Sequence, residues 1–436
     1  MQHELLFGKR GTDNVVIRGA RVFDPGEALD SVVDVRVDGG VIAQIGAHLD
    51  TNEHRVVEGA GRLLMPAFID PHVHLRTPGR EDEETIASGT AAAAAGGYCA
   101  ILAIPNTDPV VDDADVLRGL RERAEAEAEV PVGFFAAITR GQDGSELTEM
   151  GELADAGAVG FTDDGRPVVA AGMMRRALQY STITGRAVAV HCEEPSLTRG
   201  GHAHDGPVAS ELGLGAWPSL GESLMVARDV ALAGETGRSV HLMHLSARES
   251  VDHLRAARAA GIQATGEVTP HHLCLTDEAV RSLDPNVKMN PPLRTEDDRT
   301  VLIEALRDGT ITAIATDHAP HSREEKEVPF EAAPFGVIGL ETAFSALYTE
   351  LVEPGLLSLE TLVRRLTTGP AEIFGLTAPR IAVGAPANLT LVDPEAVWEV
   401  DVGRLKSLSI NSWLLGARLR GRILLTMAAG RVAFEL

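Results

Sequence analysis

The sequence predicts a (β/α)8 TIM-like barrel with a small β-sandwich domain built from the N- and C-terminal segments. Three observations predict it. Apolar runs recur through the middle of the chain, at 63–70, 98–104, 132–139, 158–162, 187–191, 239–244, 262–268 and 311–316, with helical stretches between them. Residues with metal-binding side chains fall at the ends of several of these runs. Short alternating patterns at both chain ends read as strands, and neither end is large enough for a secure core alone. Alternating strands and helices indicate a parallel sheet, and eight such units close into a barrel. An open doubly wound sheet is the alternative, but no glycine-rich dinucleotide fingerprint follows the first strand.

The elements follow in order. Residues 1–62 supply the first part of the β domain, with strands at Asn14-Val15-Val16-Ile17-Arg18-Gly19, Val33-Asp34-Val35-Arg36-Val37 and Val41-Ile42. Residues 63–376 form the barrel, with helices expected at 82–95, 111–129, 173–184, 222–235 and 249–260. The alanine run at 91–95 reads as a helix face packed on the barrel. Residues 140–148 form a polar loop, either a lid or an ordinary strand-to-helix connection. Residues 377–436 complete the β domain, with strands within 387–393, 422–426 and 431–434.

Composition narrows the function classes. The 436 residues are 44% hydrophobic and 23% charged, with a formal net charge of −24. That charge disfavours nucleic acid and anionic membranes as partners. The three cysteines, Cys99, Cys192 and Cys274, are scattered and form no CxxC, which fits a reducing, cytoplasmic setting. The N-terminus has no basic segment followed by an apolar core, so no signal peptide is expected. No apolar run is long enough to span a bilayer.

The chemistry begins at Asp70-Pro71-His72-Val73-His74-Leu75-Arg76. Side chains at i and i+2 of a strand share a face, so His72 and His74 can reach one ion together. Asn106 follows the second strand, Asp163 and Asp164 the fourth, His191 the fifth, His241 and His244 the sixth, and Asp317 the eighth. Barrel enzymes hold their sites at these C-terminal strand ends. A single buried histidine is usually a hydrogen-bonded core residue, and Asp163-Asp164-Gly165 alone is usually a turn. Cys192 reads as packing and His271-His272 as a loop. Four histidines and two carboxylates at five strand ends are hard to obtain from packing. Imidazoles with carboxylates suit zinc better than magnesium or calcium, with manganese, cobalt or iron as the alternatives. The count exceeds one tetrahedral site, so two ions about 4 Å apart are expected.

Several segments then resemble one family. Asp70 to Gly79 (Asp-Pro-His-Val-His-Leu-Arg-Thr-Pro-Gly), Ile104-Pro105-Asn106-Thr107, Phe161-Thr162-Asp163-Asp164-Gly165 and Ala315-Thr316-Asp317-His318-Ala319-Pro320-His321 are similar to the signatures of dihydroorotases of the long bacterial type, in the amidohydrolase superfamily. Asn290-Pro291-Pro292-Leu293-Arg294, Pro334-Phe335-Gly336 and the 384–393 segment extend the resemblance over nearly the whole chain. Thr77 and Ile104 depart from the usual pattern, where an acidic residue and Met are common.

The resemblance implies roles. His72, His74 and Asp317 would bind one zinc ion, His191 and His244 a second, and Asp164 would bridge them. Spacing alone does not choose Asp164 over Asp163. Related cyclic amidohydrolases bridge with a carboxylated lysine, and this chain has no lysine between positions 9 and 288. His74, Arg76, Asn106, Asn290, His321, Phe335 and Gly336 would contact substrate, with the arginine fork on a carboxylate. The implied reaction is reversible cyclisation of N-carbamoyl-L-aspartate to (S)-dihydroorotate in pyrimidine biosynthesis, by metal-bound hydroxide with Asp317 as the proton shuttle. A homo-oligomer, and association with aspartate transcarbamoylase, are the partners the resemblance suggests. Two rivals are another cyclic amidohydrolase, acting on hydantoins, dihydropyrimidines or allantoin, and a non-catalytic subunit lacking metal ligands.

Overall fold

The computed structural model describes residues 5–436. Eight parallel strands lie in chain order: β1 (Phe68–Val73), β2 (Tyr98–Ala103), β3 (Val132–Ala136), β4 (Gly160–Phe161), β5 (Ala187–Val190), β6 (Val240–Leu242), β7 (Ala264–Val268) and β8 (Ala313–Ile314). Each pairs with its neighbours in parallel register. Just past β8, a parallel bridge from Val73 to His318 closes the ring, and the His74 amide donates to the His318 carbonyl at 2.9 Å. Nearly every residue of these strands is buried. That explains their continuous apolar reading, since both faces of a barrel strand are covered.

The expected first strand, 63–70, is two strands. Leu63–Pro66 pairs with Val15–Asp24 and Leu389–Glu399 in the terminal sheet, and β1 starts at Phe68. Ala67 lies between them and donates to the Asn388 carbonyl at 3.0 Å. Both halves are buried and apolar, so hydrophobicity could not mark the change of sheet. The terminal segments combine as expected, in one eight-stranded sheet. Its own core draws Val15, Ile17, Val35, Val37 and Ile42 from one end and Leu389, Leu391, Leu425 and Met427 from the other. The sheet curls back on itself, with Ile42 donating to the Ala385 carbonyl and Ala387 to the Gly40 carbonyl, both at 2.9 Å.

The helices fall close to their expected places, at Ile86–Ala95, Ala114–Glu127, Ala171–Thr184, Leu220–Thr236 and Arg248–Ala259. The first starts four residues later than its sequence suggests. Thr85 caps it in a capping box with Ser88. The acidic residues ahead of the cap are engaged elsewhere: Glu83 pairs with Arg76 and Glu84 with His318. Ala92, Ala93 and Ala94 are buried, so the alanine run is packing surface. No helix among the described residues is long and apolar enough to cross a membrane.

Candidate metal centre

The C-terminal ends of β1, β4, β5, β6 and β8 bring six expected side chains together. Zinc–nitrogen bonds of ~2.05 Å place tetrahedral ligand atoms ~3.3 Å apart, which gives a test of fit. In the first group, Asp317 Oδ1 lies 3.4 Å from His72 Nε2 and 3.1 Å from His74 Nε2. Asp164 Oδ2 completes it, 3.5 Å from His72 Nε2 and 3.6 Å from His74 Nε2. In the second, His191 Nδ1 and His244 Nε2 are 2.9 Å apart, with Asp164 Oδ1 at 3.4 and 3.3 Å. The two oxygens of Asp164 thus face one group each. His72 Nε2 is buried without a hydrogen-bond partner among the described residues. The donor set and its spacing fit metal ions.

The supporting hydrogen bonds fix which ring nitrogen is free. His72 Nδ1 donates to Glu267 Oε1 at 2.9 Å, His74 Nδ1 to Asn106 Oδ1 at 2.9 Å, and His191 Nε2 to Glu193 Oε2 at 2.9 Å. Each contact leaves the opposite nitrogen with its lone pair toward the centre. Glu267 also accepts from His241 Nε2 at 3.0 Å. His241 is therefore not a ligand but holds the carboxylate that orients His72. Glu267, Glu193 and this use of His241 were not foreseen. The histidine-bearing strand ends offered a hint, because metal-bound histidines usually donate their other nitrogen to a carboxylate or carbonyl.

Asp163 and Asp164 separate cleanly. Asp163 turns away and accepts from the Ile138 and Thr139 amides at 2.7 and 3.1 Å, and burial pushes its pKa up to about 6. Asp164 turns inward and is held well below the carboxylate range, the charge on His72 and the facing imidazoles of His191 and His244 outweighing its burial. Burial likewise opposes charge on His191, but Asp164 and Glu193 raise it to about 10. The same balance leaves Glu267 at about 2 against its burial, through His241 and His72.

A cavity of about 190 Å³ opens onto this centre. All seven expected substrate contacts line it: His74, Arg76, Asn106, Asn290, His321, Phe335 and Gly336. Arg76 Nε is fixed to the Pro320 carbonyl at 2.9 Å and to Glu83 at 3.1 Å. Asn290 Oδ1 is buried with no partner among the described residues, an acceptor available to a ligand N–H. Arg76, His244 and Asp317 have φ of 57°, 33° and 49°. Such left-handed geometry in a non-glycine residue costs about 1–3 kcal/mol and gathers at functional sites.

Three further features frame the site. His271 and His272 are not in a loop but buried in the short helix Pro270–Cys274, where His272 Nε2 donates to the Pro291 carbonyl at 3.0 Å. Residues 140–148 do not line the cavity; Gln142 touches its wall through the Asp164 carbonyl at 3.4 Å. A strap at 406–411 braces the cavity from behind. There Ser409 Oγ donates to the Glu83 carbonyl, and Asn411 donates to the Ala319 and Gly336 carbonyls, at 2.8, 2.9 and 3.2 Å.

Comparison with known proteins adds kinship to this geometry. A family described as dihydro-orotase-like matches residues 61–250. The dihydroorotase of Pelotomaculum thermopropionicum is 45% identical over 421 residues, 97% of this chain and 98% of that protein. The dihydroorotase of Bacillus caldolyticus is 47% identical over 403 residues, 92% of this chain and 94% of that protein. Among solved structures, the L-hydantoinase (dihydropyrimidinase) from Arthrobacter aurescens superposes with a TM-score of 0.87 at 26% identity, covering 97% of this chain and 96% of its own. The dihydropyrimidinase from Brevibacillus agri shares the fold, with a TM-score of 0.83 at 24% identity over 96% and 94% of the two chains.

Proposed function

Because the chain belongs to the dihydroorotase family, we propose that the centre around Asp164 is where it interconverts N-carbamoyl-L-aspartate and (S)-dihydroorotate for pyrimidine biosynthesis. The chain is a cyclic amidohydrolase, and its His and Asp groups are able to bind metal. The observation that carries the site reading is the split of one carboxylate, Asp164, between two ligand groups at the floor of a cavity holding Arg76 and Asn290. His72, His74 and Asp317 would hold one ion, His191 and His244 the other, and Asp164 both. Bound there, the metal would supply an activated water and a Lewis acid for the amide carbonyl.

The chain's own residues do the rest. Arg76, pinned along one edge, presents its fork to the substrate carboxylate. The unpaired Asn290 oxygen accepts a ring N–H, and His321 and the Phe335-Gly336 backbone bound the ring. In hydrolysis the C–N bond of the ring amide breaks as the water oxygen adds to the carbonyl carbon. Asp317 takes a proton from the attacking water and delivers it to the departing ring nitrogen. In ring closure Asp317 takes the ureido proton first. The same reading extends to two zinc ions per subunit, a homo-oligomer, a cytoplasmic setting and contact with an aspartate transcarbamoylase; the family resemblance supports these.

A substrate panel tests the activity. Purified protein with added zinc is offered dihydroorotate, hydantoin, dihydrouracil and allantoin. Turnover of dihydroorotate alone is expected. Preference for any of the other three would replace the substrate assignment.

A further inference from the structure

Lysine is rare in this chain, with four in 436 residues, at positions 9, 288, 326 and 406. Two of the four converge on one loop. The Lys288 ammonium donates to the carbonyls of Phe330, Glu331 and Ala333 at 2.8, 2.9 and 2.7 Å. Lys326 donates to those of Pro334 and Gly336 at 3.0 and 2.9 Å. Lys288 is 2% exposed and Lys326 6%.

The 330–336 loop has turns and bends but no strand or helix ladder to satisfy its backbone. Five of its carbonyls would lose their ammonium partners if the two lysines were removed; Gly336 would keep Asn411, but the buried Phe330 and Ala333 bonds would go unmade, at a cost that buried polar groups rarely bear. The link is reciprocal, since the Gly336 amide donates to the Lys288 carbonyl at 2.9 Å. The Lys288 nitrogen also sits 4.7 Å from the centroid of the Phe335 ring. Phe335 and Gly336 are the two loop residues that line the cavity.

Residue type matters here. Three oxygens around one nitrogen suit an ammonium with three rotatable donors, and a planar guanidinium cannot match that arrangement. The chain uses arginine for nearly all of its other cations. Burial pushes Lys288 down to about 8 and Lys326 to about 7, while the facing carbonyl oxygens favour the charged form.

We propose that Lys288 and Lys326 are positioning residues that hold the 330–336 loop in the shape that binds substrate, setting affinity for the ring rather than the rate of bond breaking. The substrate half of this rests on the dihydroorotase reading; the loop half does not.

The test uses full-length, zinc-loaded protein with Lys288→Met, Lys326→Met and Lys288→Arg. Dihydroorotate kinetics, zinc content and amide hydrogen exchange across 330–336 are measured together. In both Met variants KM is expected to rise at least about tenfold while kcat stays within about threefold. Zinc content should hold, and the loop should exchange about tenfold faster or more. Lys288→Arg keeps the charge and is expected to keep the KM defect. Unchanged KM and exchange in the Met variants would overturn the proposal, and so would recovery of wild-type KM by arginine. If Lys288→Met does not fold, Lys326→Met and Lys288→Arg still decide it. A wild type inert toward dihydroorotate would refute the activity alone, because exchange reads the clamp without turnover.

Discussion

Asp317 shows how much one residue is asked to do. Its Oδ1 lies within reach of both His72 and His74, its φ is 49°, and its carboxylate borders the cavity. Replacing it with Asn keeps the shape and removes the proposed proton carrier. Asp317→Asn is expected to lower kcat by about 10³-fold with substrate affinity changed little, and steady-state kinetics with a binding titration would check both. Glu267 acts one contact further back, orienting His72 and held in turn by His241. Glu267→Gln leaves one of the two imidazole N–H groups facing an amide donor. Zinc affinity is expected to fall about 10–100-fold, measured by chelator competition. The cluster of candidate ligands was legible in the sequence because His-x-His, the later histidines and the strand-end aspartates follow apolar runs. Glu267 was not, because its partner His72 is 195 positions away and nothing local marks the pair. Asp163 and Asp164 were indistinguishable by spacing, and the Ile138 and Thr139 amides together with the Thr139 hydroxyl explain why the first turns outward.

At the scale of elements, the eight barrel strands were readable because burial on both faces leaves near-continuous apolar runs. Where the chain changed sheets without changing hydrophobicity, at 63–70, the pattern merged two strands into one. The 406–411 strap was also invisible, since its role lies in polar contacts to distant backbone rather than in any periodicity. Glu341 anchors it, accepting from the Lys406 and Ser407 amides at 2.8 and 3.1 Å. Burial raises this carboxyl to about 7, against those two amides. The folded chain therefore binds a proton that the unfolded chain has released between about pH 4.5 and 7. Stability falls as pH rises through that window on this group's account. Gln accepts the same amides and does not titrate, so Glu341→Gln should match wild type near pH 4.5 and exceed its Tm by pH 8. Thermal melts across the range would show this, and a Tm difference independent of pH would contradict it.

For the whole molecule, the net charge of −24 sets a constraint that the site must overcome locally. An anionic substrate gains nothing from the global field, so on the proposed function capture would depend on Arg76 and on the metal ions held at the Asp164 centre. Metal binding at that centre would also be linked to folding, because the candidate ligand groups come together only in the closed barrel. Chelation is expected to lower the Tm, and returning zinc to restore it. The central claim is that two ions share Asp164 and that dihydroorotate turnover depends on them. The most direct measurement is turnover of dihydroorotate by chelated protein during stepwise return of zinc, beside an Asp164→Ala control. Activity that is absent at the start, rises to a plateau at two equivalents per chain and never appears in the control is the predicted result. Turnover that survives chelation, or reaches its full value at one equivalent, would contradict the account.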